Sequence, residues 1–273
     1  MQRGSVGYVH GYSEREAQRL LDQANSVRDL LHHDSKFPAG SRILEPGCGI
    51  GAQTVTLASN SPESLFVSCD IARASLDTAA RRTEELELEN VCFLSADLYE
   101  LPFTLGALDG VFICHVLEHM QDPVAALRSI LKVVRLGGSV TVIEGDHGSC
   151  YFHPTTDEAV QAWRSLIQVQ ADLGGDSLIG RRLHAVMTEA GVRDSIVSPR
   201  MVYADRSRPE VMDAFVAKTI IPMVEGVKQQ ALDRGYITAP TWEKGLADLW
   251  RIVSSDSGVF CYTFFKGVAT VGS

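Results

Sequence analysis

The stretch from Ile43 to Gly51, I-L-E-P-G-C-G-I-G, limits what this chain can fold into more than any other part of it. Ile43 and Leu44 read as the end of a buried parallel strand. Gly47, Gly49 and Gly51 read as a turn that opens a helix. Glycine accepts positive φ and lets a ligand lie against the main chain with no Cβ in the way. The first amides of the helix have no partners within it and point outward. A Gly-rich strand-to-helix turn of this kind belongs to alternating strand–helix folds and takes a nucleotide-like ligand. Spacing decides which one. The dinucleotide fingerprint is G-x-G-x-x-G and holds a pyrophosphate. Here the spacing is G-x-G-x-G, and acidic Glu45 precedes it. A carboxylate there repels a pyrophosphate and suits a ligand that carries an amine.

Glu45-Pro46-Gly47-Cys48-Gly49-Ile50-Gly51 resembles, residue for residue, the first motif E/D-x-G-x-G-x-G of the class I S-adenosylmethionine-dependent methyltransferases. Their cofactor has an amino acid end, a sulfonium and an adenosine, and no phosphate. The resemblance implies that Glu45, Gly47, Cys48, Gly49, Gly51 and Gln53 form its methionine-side site. The run Leu65-Phe66-Val67-Ser68-Cys69-Asp70 ends in an acid where such folds bind ribose hydroxyls. Ile71 and Ser75 follow on the same side of the expected site. Val91 to Leu98 resembles the family's adenine turn, with Asp97 taking the exocyclic amine and the Leu98 amide facing a ring nitrogen. The other reading of Asp97 is a turn-forming residue that bonds its own backbone. Phe103, in the loop beyond, reads as a packing residue.

Leu108 to His119 resembles the fourth family motif, D-x-[IV]-x-x-x-x-x-L-x-H, of small-molecule methyltransferases of the ubiquinone and menaquinone biosynthesis type. Cys114 and His115 fall at the carboxyl tip of that strand, near the expected sulfonium. The N/D-P-P-Y/F sequence of many DNA and amide-nitrogen methyltransferases is absent, which argues against nucleobase amines. Asp122-Pro123 starts a helix, expected to end at Leu136-Gly137-Gly138, and Ser139 to Glu144 reads as the fifth strand. These matches cover about residues 41 to 145. They imply an α/β fold: a doubly wound, Rossmann-like, seven-stranded and mostly parallel sheet with an antiparallel last strand. An N-terminal helix and a helical C-terminal insertion complete it.

The expected organisation is a cofactor-covering segment and helix over 1–40, then a methyltransferase domain over 41–273 with a helical insertion at about 207–255, in one structural domain. The helix is expected from Glu14 to His33, started by a Ser13–Glu16 capping box, with His32-His33 as its exposed end. Before it, Tyr8, His10 and Tyr12 between Gly7 and Gly11 read as a hinged cover over the reaction centre. After strand five, Gly145 to Pro154 reads as a polar loop. Helices are expected over Thr156–Leu173 and Ser177–Ala190, a sixth strand within Val192–Tyr203, two or three helices over Pro209–Ser254, and a final strand at Val259–Phe265. The inserted helices read as a substrate cover or as the interface of a homo-oligomer.

A net charge of −9 opposes nucleic-acid binding, for which a basic face is expected. No apolar run reaches membrane-spanning length, no signal-peptide core follows Met1, and the six cysteines form no C-x-x-C pair. These features predict a cytoplasmic protein. Ligand spacing in the sequence gives no support for a metal. The implied chemistry is SN2 transfer from S-adenosyl-L-methionine, leaving S-adenosyl-L-homocysteine, to a small acceptor such as a quinone precursor or a secondary metabolite. Where a proton must leave the acceptor, His147 is the leading base, as a histidine on a flexible turn. Tyr12 and Glu144 are the further catalytic candidates. Two alternatives stand beside this reading: an NAD(P)-linked oxidoreductase, and a catalytically silent protein that binds S-adenosylmethionine.

Overall fold

The computed structural model describes residues 14–272. The expected cover, with Tyr8 and Tyr12, lies outside them. The leading helix is two: α1 (Glu14–Ser26) and α2 (Arg28–His32). Asn25 and Ser26 are weak helix formers, and Ser26 Oγ donates to the Gln23 carbonyl at 2.8 Å, competing with the backbone ladder. There follow β1 (Arg42–Pro46), α3 (Thr54–Asn60), β2 (Leu65–Asp70), α4 (Arg73–Glu85), β3 (Val91–Ser95) and β4 (Leu108–Cys114). Next come α5 (Pro123–Leu131), β5 (Val134–His153), α6 (Asp157–Asp172), α7 (Leu183–Glu189) and β6 (Ile196–Asp205). The chain ends with α8 (Pro209–Val211), α9 (Ile221–Gly226), α10 (Lys228–Asp233), α11 (Ala239–Ser254) and β7 (Val259–Thr270). As expected, Asp122 caps α5: its carboxylate accepts the Ala125 amide at 2.8 Å, and Pro123 takes the first helical position.

The seven strands lie in the order β3-β2-β1-β4-β5-β7-β6. Strands β3, β2, β1, β4 and β5 are mutually parallel, with Leu44 paired to Val67 on one side and Val111 on the other. The last strands run antiparallel. Chain order reverses between β1 and β4, so ligands are expected beyond the carboxyl ends of these strands.

The residues divide into two compact units. The first comprises 28–145, 179–200 and 264–272. Its core is the apolar interior of the parallel strands, Leu44, Val67, Val111, Ile113 and Val142, packed with Leu127 and Ile130 of α5 and with Leu183 and Met187 of α7. The second comprises 14–27, 146–178 and 201–263, so the expected insertion shares a unit with α1 and α6. There α6 and α11 pack side by side, and Phe215, Trp242 and Phe260 are fully buried. Between α8 and α9, Met212–Ile220 winds as a wider π-helical segment. Thr219 Oγ1 donates to the Ala214 carbonyl at 3.0 Å, and Pro222 brings no amide to the ladder.

Besides the divided leading helix, α5 ends at Leu131 and not at Leu136–Gly138, whose residues already belong to β5; two further sequence expectations need correction. Strand β5 does not stop at Glu144 but continues to His153, through the residues read as a polar loop. Partners, not composition, decide this: the Phe152 ring stacks on Phe260 of β7 at 6.3 Å, and Ser149 Oγ accepts the Thr263 amide at 3.1 Å. His32 is not an exposed helix end; it is 1% exposed, while His33 is exposed. The His32 Nε2 lies 2.7 Å from Gln53 Oε1 and its ring 5.6 Å from that of Phe112. Burial pulls its pKa down to about 4.

Candidate active site

The three glycines after β1 all hold positive φ, at 68°, 53° and 75° for Gly47, Gly49 and Gly51. They do different work. A Cβ on Gly47 would lie 2.6 Å from Val116, beyond the tip of β4, and one on Gly51 would lie 2.9 Å from Ala79 of α4. Those two let the turn pack against its neighbours. A Cβ on Gly49 would meet nothing within 4 Å, so this glycine alone presents bare backbone to open space.

Asp70, at the carboxyl tip of β2, is fixed against that open backbone. Its Oδ2 accepts the Gly49 amide and its Oδ1 the Ala72 amide, each at 2.9 Å. A carboxylate has about four acceptor positions, so both oxygens can still receive ribose hydroxyls. On the next strand, Asp97 is exposed and its Oδ1 accepts the Tyr99 amide at 2.9 Å. The self-bonding turn is therefore present, and Oδ2 remains available to an amine. The Ala96 amide donates to the Asp70 carbonyl at 3.2 Å, which holds the two acidic tips side by side. Ile71 is 66% exposed beside them, Leu98 is buried under the turn after β3, and Ser75 is on the buried side of α4. An adenosine with free ribose hydroxyls fits this donor and acceptor set.

Glu45 faces inward. It is 3% exposed and its Oε2 accepts both Thr54 Oγ1 and Ser68 Oγ at 2.6 Å, tying β1 to α3 and β2. Burial raises its pKa to about 7. Thr54 and Ser68 were not singled out from sequence; a hydroxyl opening a helix and another inside an apolar strand were the available signal. Cys48 is buried in the turn, and burial, reinforced by Glu45 and Asp70, pushes its thiol well up. It stays a neutral packing group within the turn.

At the tip of β4, Cys114 pairs with Ile143 of β5 and the His115 amide donates to the Ile143 carbonyl at 2.9 Å. His115 holds φ 57°, a left-handed conformation uncommon outside glycine. Glu144, next along β5, is fully buried, and its Oε1 accepts the Val116 and Leu117 amides at 3.1 and 2.7 Å. Burial, then the charge of Glu118, pushes its pKa well above the carboxylate range. Thus Glu45, Gly49, Asp70, Asp97, Cys114 and His115 lie at or just beyond the carboxyl ends of β1 to β4, with Glu144 of β5 next to the Cys114–Ile143 pair, all within the first unit.

His147 belongs to the second unit and sits in a strand, not on a flexible turn. It is 4% exposed; its Nδ1 is 2.8 Å from the Tyr262 hydroxyl and its ring stacks on Trp163 at 5.3 Å. The Trp163 Nε1 donates to the His147 carbonyl at 2.8 Å. Neither Trp163 nor Tyr262 stood out in the sequence, where both match ordinary core aromatics. Tyr8 and Tyr12 lie outside the described residues.

A methyltransferase domain model matches residues 44–142, which span the glycine turn, both acidic tips and β4. A protein of Schizosaccharomyces pombe, described as an uncharacterized methyltransferase, is 30% identical over 236 residues, with 81% of each chain covered. An O-methyltransferase of Pyrenophora dematioidea is 29% identical over 197 residues, covering 69% of each. The solved structure of Haemonchus contortus phosphoethanolamine N-methyltransferase 2 with S-adenosyl-L-methionine aligns at a TM-score of 0.54 and 16% identity. The alignment covers 92% of this chain and 53% of that one, and it is a likeness of fold.

Proposed function

The chain belongs to the class I S-adenosylmethionine-dependent methyltransferases, and from that premise we propose that its methyl acceptor is a small organic molecule, a quinone precursor or a secondary metabolite. As a methyltransferase it uses S-adenosylmethionine, which removes the NAD(P)-linked alternative. The observation that carries the cofactor assignment is the bare backbone of Gly49 beside the fixed carboxylate of Asp70. A small acceptor is supported by His115-Val116-Leu117 at the β4 tip, where nucleobase enzymes often carry N/D-P-P-Y/F, and by the net charge of −9. The description of the Pyrenophora relative as an O-methyltransferase supports an oxygen acceptor.

The bound cofactor supplies an already activated methyl group. The protein's part is therefore to orient and desolvate. Asp70 and Asp97 hold the adenosine end, the glycine turn receives the rest against its backbone, and the tip of β4, with Glu144 of β5, faces the reacting end. For a hydroxyl acceptor, Glu144 is the proton-accepting candidate that lies with the cofactor-side residues in the first unit, with its Oε1 already committed to two backbone amides.

Incubation with tritium-labelled S-adenosylmethionine and a panel of phenols and hydroxyquinones tests the reading. Transfer of label to an organic-extractable product supports it. A protein that binds the cofactor yet labels no member of the panel is a silent binder or takes another class of acceptor, and the proposal fails.

A further inference from the structure

Three ligand-type side chains meet where β4 and β5 end their parallel pairing. His115 follows the last residue of β4, Glu118 lies in the short turn Leu117–His119, and Glu144 stands next to Ile143. One ligand atom from each of the three lies within 4.8 Å of the others. The second observation concerns Glu144 alone. Its side chain is fully buried and Oε1 is used by two amides, while Oε2 has no hydrogen-bond partner among the described residues. An orphaned buried oxygen of this kind is uncommon and calls for a partner. Glu118 brings a second carboxyl group to the same place. The His119 Nε2 lies 3.6 Å from Glu118 Oε1; no described residue donates to Glu144 Oε2. The left-handed backbone of His115 adds local strain, which persists where the surroundings fix it and collects at functional sites.

We propose that His115, Glu118 and Glu144 bind one divalent transition-metal ion through an imidazole nitrogen and one oxygen from each glutamate. Ligand distances of ~2.0–2.2 Å put ligand atoms on the order of 3 Å apart, so the three side chains close inward on binding. One nitrogen and two oxygen donors suit ions such as Mn²⁺ or Zn²⁺. The ion supplies the missing partner of Glu144 Oε2. Three protein ligands leave positions open, and an acceptor oxygen can take one of them. That last consequence rests on the methyl-transfer reading above; ion binding itself does not.

The test uses the full chain, stripped with a chelator and titrated with Mn²⁺ by electron paramagnetic resonance and with Zn²⁺ by calorimetry. One ion per chain is expected, with affinity at least tenfold weaker in each of H115Q, E118Q and E144Q. Glu144→Gln keeps a carbonyl oxygen for the Val116 and Leu117 amides, so the turn remains capped; circular dichroism checks the fold of each variant. Failure of the wild type to bind either ion stoichiometrically overturns the inference, as does unchanged affinity in folded E118Q and E144Q. S-adenosylmethionine affinity is measured alongside. A wild type that binds the cofactor but no metal sinks this inference and leaves the methyltransferase reading standing.

Discussion

Asp70 shows how much one carboxylate can organise. Its two oxygens fix the Gly49 and Ala72 amides and still have lone pairs for a ligand. Charge-assisted bonds of this kind are worth ~1.5–3 kcal/mol each. Asp70→Ala is therefore expected to weaken cofactor affinity at least tenfold by calorimetry, and unchanged affinity in a folded variant would remove the ribose assignment. Gly49 and Gly51 should part company under substitution. Both glycines hold positive φ, so valine strains either turn; Gly49→Val adds no clash and projects into open space, so cofactor binding should suffer relatively more, whereas Gly51→Val also drives into Ala79, so folding should suffer more. Thermal unfolding and calorimetry on the same pair of proteins decide this, and equal behaviour of the two would contradict the division of labour. The sequence pattern marked all three glycines as one cradle. It could not show that two of them serve packing, because that depends on Val116 and Ala79, which come from distant parts of the chain.

Among the elements, the parallel strands and the caps were legible because their signals are local: apolar runs ending in acids, and Asp122 before Pro123. The full length of β5 was not. Gly145 to His153 has loop-like composition and becomes a strand only because Phe260, Tyr262 and Thr263 of β7 supply its partners. The same kind of non-local packing buries His32, read from sequence as an exposed helix end, and His147, read as lying on a flexible turn. Helix packing adds a case the sequence conceals. Gly245, in the interior of α11, is unfavourable for a helix by itself, yet a Cβ there would lie 2.3 Å from the Glu158 carbonyl of α6. That obstacle is backbone and cannot rotate aside. Gly245→Ala should destabilise the second unit by about 1–3 kcal/mol, despite the better helix propensity of alanine. A gain in thermal stability would mean that the close approach of α6 and α11 does not restrict this position.

At the scale of the whole molecule, charge and protonation govern behaviour that no single contact reveals. With a net charge of −9, the protein should give no salt-sensitive mobility shift with duplex DNA or RNA at physiological salt. Protonation gives a sharper test, because two buried groups of the first unit pull stability in opposite directions. Glu45 has its pKa raised by burial to about 7, so the folded state holds a proton that the unfolded state releases above about 4.5. Its contribution is present below that range and is lost as pH rises through 7. His32 is the reverse: burial lowers its pKa to about 4, so the unfolded state takes up a proton below about 6.5 that the folded state refuses. Its contribution is present above 6.5 and is lost as pH falls through 4. Each effect is on the order of 3 kcal/mol, and across pH 4.5–6.5 they largely offset one another. Substitution should unmask them. Relative to wild type, E45Q should gain stability as pH rises from 4.5 to 7, and H32Q should gain as pH falls from 6.5 to 4, in guanidinium denaturation followed by circular dichroism. Because both residues lie in the same unit, the comparison holds even if the two units unfold in separate transitions. Difference curves that run parallel to the pH axis for both variants would show that neither group titrates abnormally in the fold.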